Sequence, residues 1–392
     1  MKIHWLGLIV VAVLCIAMDV FICRQLRRNG YRWLAWLNGA LAVLTAALAT
    51  AVAVMPLSEA TTSNSTFVTG QYMLYTFFAL VAPKALGMLV YGIGRLIRQR
   101  WMTVCAFIVA ALVFGVMWWG AVVTPGKLEV KEVELYFDRL PEAFDGYRIV
   151  QWSDAHLGTY NGRTAIVERQ IQAINGLHAD MICFTGDLVS RKTDEALPYR
   201  DLLASLHAPD GVYSVLGNHD YDNYVRWDDE KAQIADRQAL CDLQEAVGWK
   251  LLNDDHTIIK RGDDQIVLIG TENYGDHPFE KRGNLTRAYS ATRDGNFKIL
   301  LQHNPYAWRA NTLPNSNIDL MLAGHTHAWQ IMLQLGKWRW SPACMRYPEW
   351  GGAYSEGDRW LYVNIGTGMV GTPMRIGATP EITLITLKRK GK

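Results

Sequence analysis

The chain has 392 residues and a formal net charge of +2, from 39 Lys and Arg against 37 Asp and Glu. Near balance without a basic stripe argues against a nucleic-acid partner, and the length suggests more than one structural unit. Half of the residues are hydrophobic, but they crowd into the first third, so the average hides two unlike parts.

The apolar runs come first. Leu6 to Cys23 is apolar apart from Asp19, and Leu34 to Met55 is broken only by Asn38 and two Thr. Tyr72 to Ile93 and Met102 to Val123 complete the series. Each approaches the roughly 20 residues a helix needs to cross a bilayer. Residues 1–123 therefore read as a bundle of four transmembrane helices. One Lys precedes the first run and no small-x-small cleavage site follows it, so it reads as a retained helix. Arg24, Arg27, Arg28 and Arg32 separate runs one and two, and Arg95, Arg98 and Arg100 separate three and four. The loop PLSEATTSNSTFVTG carries no Lys or Arg. The positive-inside rule then puts both Arg-rich loops in the cytoplasm, and both termini outside the cell (inner) membrane. Asp19 and Lys84 are charges at membrane depth, where they are expensive. Either they pair, or Lys84 faces a lipid phosphate. The plainer alternative has Asp19 near the inner end and Lys84 snorkelling.

The short link TPGK opens a second domain, residues 124–392. Strand-like and helix-like patterns then alternate: YRIVQWSD, the amphipathic RTAIVERQIQAINGL, ADMICFTGD, a helix over EALPYRDLLASLHA, and GVYSVLGNHD. QIVLIGTEN, FKILLQHN, IDLMLAGHTH, RWLYVNIG and EITLITLKR follow as further strands. Alternation of this kind argues for an α/β domain. The polar stretch Asp222 to Trp249 reads as a helix over or beside the site. Lys337 to Trp360 is an aromatic loop, either packed on the surface or forming a lip toward substrate or membrane. Cys183 reads as a small buried residue. Cys241 and Cys344 could pair or stand as free thiols.

Polar clusters recur where apolar strands end: Asp154-Ala-His156, Gly186-Asp187, Gly217-Asn218-His219-Asp220, His303-Asn304 and Gly324-His325-Thr326-His327. Half of the ten His of the chain lie in them. Any one cluster is weak evidence. Together their carboxylates, amide and imidazoles suit two borderline divalent metals, and open α/β folds place their sites at strand ends.

The motifs SDAHLG, GDLVS, LGNHD, LLQHNP and AGHTHAWQ resemble those of the calcineurin-like metallophosphoesterases, over roughly Leu128 to Leu387. The resemblance is strongest to a membrane-anchored bacterial branch. It implies a four-layer α/β/β/α sandwich following the helices. It further implies that Asp154, His156 and His327 hold one metal, Asn218, His303 and His325 the other, and Asp187 bridges both, with Mn, Fe or Zn as the two ions. A metal-bridging hydroxide would attack phosphorus in a phosphodiester, phosphomonoester or pyrophosphate, with the ions roughly 3.5–4 Å apart. His219 would protonate the leaving oxygen, and Asp220 would orient His219 or sit as a plain turn residue. Gly186, Gly217 and Gly324 would let the backbone approach the metals closely. Where many relatives have two glycines after the last histidine, this chain has Ala328 and Trp329. Trp329 is expected to narrow the site. Arg191 and Arg375 are expected on surface loops rather than at a phosphate. The link of four residues spans at most roughly 14 Å, which keeps the domain near the lipid and favours a lipid-linked substrate. A soluble nucleotide substrate, and a non-catalytic membrane receptor with a metal-bearing domain, are the alternatives.

Overall fold

The computed structural model describes residues 5–221, 223–289 and 295–391, with side chains from residue 11 onward. The chain divides into two compact units. One holds residues 1–57, 65–121 and 371–373; the other holds Ser58–Asn64, Val122–Val370 and Met374–Lys392.

The first unit is helical: α1 (Trp5–Arg28), α2 (Arg32–Val54), α3 (Asn64–Leu96) and α4 (Met102–Val122). Among the described residues, three helices are long and apolar enough to span a membrane, starting at Arg32, Asn64 and Met102. The expected first span begins at Leu6, and the side chains up to residue 10 lie outside the described residues, so four spans are not established. Small residues let α3 and α4 approach: a Cβ on Gly87 would lie 3.0 Å from the Ala106 carbonyl oxygen and 3.2 Å from Ala110 Cβ. Lys84 Nζ lies 2.8 Å from Asp19 Oδ1, and Asn38 Nδ2 donates to the same oxygen at 3.1 Å. The two charges therefore pair, with α2 supplying the third partner.

The second unit is a mixed α/β fold built on two six-stranded sheets. Its strands in chain order are β1 (Glu129–Phe137), β2 (Arg148–Trp152), β3 (Met181–Phe184), β4 (Val212–Ser214), β5 (Lys250–Leu251), β6 (Asp255–Arg261) and β7 (Asp264–Gly270). Then come β8 (Phe297–Leu301), β9 (Leu320–Ala323), β10 (Leu333–Leu335), β11 (Trp338–Trp340), β12 (Gly352–Glu356), β13 (Arg359–Val363) and β14 (Glu381–Arg389). One sheet runs β1-β14-β2-β3-β4-β5, the other β12-β13-β9-β8-β7-β6. β2, β3 and β4 are mutually parallel, as are β7, β8 and β9. Their carboxyl ends therefore point the same way within each sheet. β10 and β11 form a separate two-stranded hairpin.

Period-two alternation explains the core. Ile149, Met181, Cys183, Ile385, Ile266, Leu268, Ile299, Leu301, Leu320 and Leu322, drawn from both sheets, make one buried cluster. Their neighbours Val150, Trp152, Ile182 and Phe184 turn to the opposite face, against Val167, Ile171 and Ile174 of α5 (Thr164–Gly176) and Leu240 and Leu243 of the helix Glu230–Ala246. That helix, expected within residues 222–249, is observed over Glu230–Ala246; Asp222 lies outside the described residues. Its N-terminal turn reaches the site region, where Gln233 Nε2 donates to the Tyr221 carbonyl. The helix expected over EALPYRDLLASLHA breaks into short turns and a five-residue helix, Arg200–Ala204. Pro198 in its middle lacks the N–H a continuous helix needs. Cys183 is buried as expected, and Cys241 and Cys344 are free thiols.

Candidate metal centre

Five strands deliver the polar clusters. Asp154 and His156 follow β2, Asp187 follows β3, Asn218 and His219 follow β4, His303 follows β8, and His325 and His327 follow β9. Gln151 Nε2 ties the two sheets at this end by donating to the Ala323 carbonyl at 2.8 Å. The chain leaves the strands in sharp turns. Asp154, His156, Asp187, His325 and His327 all have positive φ, from 40° to 72°. Non-glycine residues take that conformation only where surroundings impose it, and such positions gather at functional sites. Glycine is required beside them on steric grounds. A Cβ on Gly217 would overlap the Asp187 carboxylate, and one on Gly324 would overlap that of Asp154.

Every predicted ligand converges here. Asp154, His156 and His327 form one buried group able to hold a cation, and Asp154, Asp187 and His303 form a second. His156 Nε2 and His327 Nε2 face each other at 3.0 Å, with Asp154 Oδ1 3.1 Å from the latter. Asp187 Oδ2 lies 3.5 Å from His156 Nε2 and 3.3 Å from His303 Nε2. Asn218 Oδ1 lies 3.1 Å from His303 Nε2 and 2.7 Å from His325 Nδ1. Lone-pair atoms thus crowd together in a space shielded from water, which is the donor arrangement a cation resolves.

Charge fits the same reading. Burial alone would raise the Asp154 and Asp187 carboxyls, but neighbouring imidazoles overturn that and hold both well below the usual carboxylate range. Burial lowers His156 and His219, and burial with the charge of His303 brings His325 down to about 3. Neutral imidazoles and ionised carboxylates are the forms that bind metal. His303 differs: burial lowers it, yet the adjacent Asp187 lifts it to about 9. A cation between them would stand where that proton stands.

Surrounding groups orient the rings. A carbonyl only accepts, so His303 donates Nδ1–H to Thr185 O at 2.8 Å, leaving Nε2 toward Asp187. His219 likewise donates Nδ1–H to Ser190 O at 2.7 Å, and its ring stacks on Tyr224 at 3.9 Å between centroids. Asp220 does not serve His219 as expected. Its oxygens accept from the backbone N–H groups of Asp187, Leu188, Val189 and Gly217, which locks the two ligand loops together.

Two arginines expected at the surface are buried. Arg191 is 2% exposed and lies 3.3 Å from Glu195, in the segment after GDLVS. Arg375 is fully buried, donating to the carbonyls of Gly368, Ala378 and Ile365 and to His327 Nδ1 at 3.0 Å. Trp329 is 44% exposed. Other site residues escaped sequence reasoning. Ser190 Oγ reaches His156 Nδ1 at 3.3 Å; it is the last residue of GDLVS, and the motif was its signal. Tyr347, from the aromatic loop, places its hydroxyl 2.9 Å from His325 Nε2 and donates to Asp276. No local pattern marks it, because its partner lies in another loop.

Residues 147–329 match the calcineurin-like phosphoesterase family. An uncharacterized metallophosphoesterase of Bacillus subtilis, YkuE, is 32% identical, over 67% of this chain and 87% of its own length. The chain belongs to the calcineurin-like metallophosphoesterases. It is accordingly a metal-dependent phosphoester hydrolase. A transmembrane protein with metallophosphoesterase domain from Danio rerio is 30% identical over 73% of this chain, which spans 63% of that relative's length. A UDP-2,3-diacylglucosamine pyrophosphatase, LpxG, of Chlamydia trachomatis is 27% identical, covering 68% of this chain and 91% of that protein.

Proposed function

We propose that the protein is a membrane-anchored two-metal phosphoesterase acting on a phosphodiester, phosphomonoester or pyrophosphate bond, with a lipid-linked substrate favoured. The observation that carries this reading is the convergence of seven donor side chains from five strand ends on one buried space. Asp154, His156 and His327 would hold one ion, and Asn218, His303 and His325 the other. Asp187, within reach of His156 and His303, would serve both. The mixture of oxygen and imidazole donors suits Mn, Fe or Zn. When bound, two such cations would supply charge neutralisation at the phosphoryl oxygens and acidify a water.

The chain's own groups do the rest. His219, tethered through Nδ1–H to Ser190, keeps Nε2 available to hold a proton and pass it to the leaving oxygen. Asp220 is a positioning residue, since its carboxylate fixes the backbone of both loops that carry ligands. Thr185 O and the Tyr347 hydroxyl hold the outer nitrogens of His303 and His325.

The alternating clusters on both faces of the sheets support the α/β/β/α layering, with residues 1–123 as membrane region and 124–392 as catalytic domain. The apolar helices favour the bilayer as partner, and the Arg-rich loops favour an extracytoplasmic catalytic domain. The name of LpxG, a UDP-2,3-diacylglucosamine pyrophosphatase, makes a lipid-linked substrate the leading choice here. The near-neutral charge supports no nucleic-acid substrate.

The test is turnover of an aryl phosphodiester by the detergent-solubilised protein with Mn²⁺. Wild type is expected to be active, and Asp187→Asn to be inactive with reduced bound metal by elemental analysis. Inactivity of the wild type with Mn, Fe and Zn alike would favour a receptor.

A further inference from the structure

The β10–β11 hairpin carries more exposed apolar surface than its fold can account for. Directly opposed residues of an antiparallel pair share a face. Leu333 therefore sits beside Trp340 and Leu335 beside Trp338, while Gln334 and Arg339 occupy the other side. Leu333 is 50% exposed, Leu335 75%, Trp338 54% and Trp340 38%. A two-stranded hairpin is marginal in water unless one face is covered. Among the described residues these strands pair only with each other, and the four residues of the Leu–Trp face stay exposed.

Composition indicates what covers that face. Trp and Leu on one side, with Lys337 in the exposed turn beside Gly336 and Arg339 behind, is the arrangement of elements that lie in a membrane–water interface. Indoles sit at headgroup depth, leucines reach the acyl boundary, and Lys337 in the turn meets lipid phosphates. The chain also carries long apolar helices of membrane-spanning length, so a bilayer is a surface at permanently high local concentration.

The hairpin is joined to the metal centre. Ser341, directly after β11, donates Oγ–H to the carbonyl of Ala328 at 2.5 Å. Met332, directly before β10, donates its N–H to Ile376 O at 2.8 Å. Ala328 is the neighbour of His327, and Arg375, the neighbour of Ile376, donates to that same His327 ring. Both ends of the hairpin are thus pinned to chain neighbours, one of His327 itself and one of Arg375, which contacts its ring.

We infer that the Leu333–Trp340 hairpin inserts its Leu–Trp face into the lipid surface and so presents the His327 side of the site to substrate embedded there. Bilayer contact is independent of the catalytic reading, and a fluorescent label reads it whether or not the protein turns over substrate.

The test uses the full chain in nanodiscs, with Leu335→Cys or Gln334→Cys labelled by an environment-sensitive dye in a background lacking the exposed Cys344. The expected result is a blue-shifted Leu335 label quenched by nitroxide lipids, and a Gln334 label quenched by aqueous iodide. Iodide quenching of both labels overturns the inference. So does a Leu335 label shielded from lipid and iodide alike, which would mean a protein cover such as a second copy. Serine at Leu333, Leu335, Trp338 and Trp340 together is expected to lower turnover of a vesicle-presented phosphodiester about tenfold, leaving a soluble aryl phosphodiester unaffected. An equal loss on both substrates counts against the hairpin's role.

Discussion

Glu195 shows how far burial reaches at the level of single residues. Its carboxylate accepts from Ser190 N at 2.7 Å and lies 3.3 Å from Arg191 Nε. Burial pushes its pKa up to about 7 from an ordinary 4.5, against the pull of Arg191. The fold therefore keeps a proton that the unfolded chain releases. Below 4.5 both states hold it and the group is neutral to stability. Between 4.5 and about 7 the fold loses stability as pH rises, and above that the loss is complete. The window is worth about 3 kcal/mol. Glu195→Gln keeps the shape and cannot ionise. Its thermal unfolding is expected to gain on wild type as pH rises from 5 to 7.5; parallel profiles for the two proteins would contradict this. Neither Arg191 nor Glu195 could be placed from its neighbours in sequence, because a buried charge depends on what surrounds it in three dimensions.

Among elements, the ion pair of the helical unit is the clearest test. Asp19 on α1, Asn38 on α2 and Lys84 on α3 meet, and the paired side chains are only 10% and 14% exposed. Depth along the apolar runs suggested that Asp19 and Lys84 could meet; the participation of Asn38 had no such cue. Lys84→Met leaves a buried carboxylate without its cation and is expected to cost about 3 kcal/mol. Asp19→Asn combined with Lys84→Met should recover most of it. Calorimetry in detergent measures both, and an unchanged single variant would show that the pair is mechanically idle. The strand-end elements were more legible. Each ligand loop follows a short apolar strand, and hydropathy with polar punctuation is visible locally. The hairpin was not: Lys337 to Trp360 reads as an aromatic loop, yet the strands Trp338–Trp340 and Gly352–Glu356 lie within it.

On the scale of the whole molecule, Ser58–Asn64 links α2 to α3 yet belongs to the catalytic unit. Arg226 N donates to Ser58 O, Lys192 Nζ to Ala60 O at 2.8 Å, and Asn64 Nδ2 to Gly158 O at 2.7 Å. This segment and the chain after Val122 must then share one side of any bilayer that α3 and α4 cross. In the proposed topology, with the Arg-rich loops in the cytoplasm, that side is external. A reporter active only outside the cytoplasm is expected to work when fused after Lys392 and to fail after Arg98. The reverse pattern would invert the topology.

What the amino-acid sequence determined by itself is the set of chemical groups and their strand-end positions, together with the long apolar helices. Both are written in local periodicity and composition, which do not depend on distant partners. Tertiary structure alone decided that Asp220 serves backbone amides instead of His219, that Arg191 and Arg375 are buried, and that Tyr347 reaches His325. It also decided which face of the hairpin is left bare. Each of these is a meeting of segments far apart in the chain, where burial and hydrogen-bond geometry, not residue type, choose the partner.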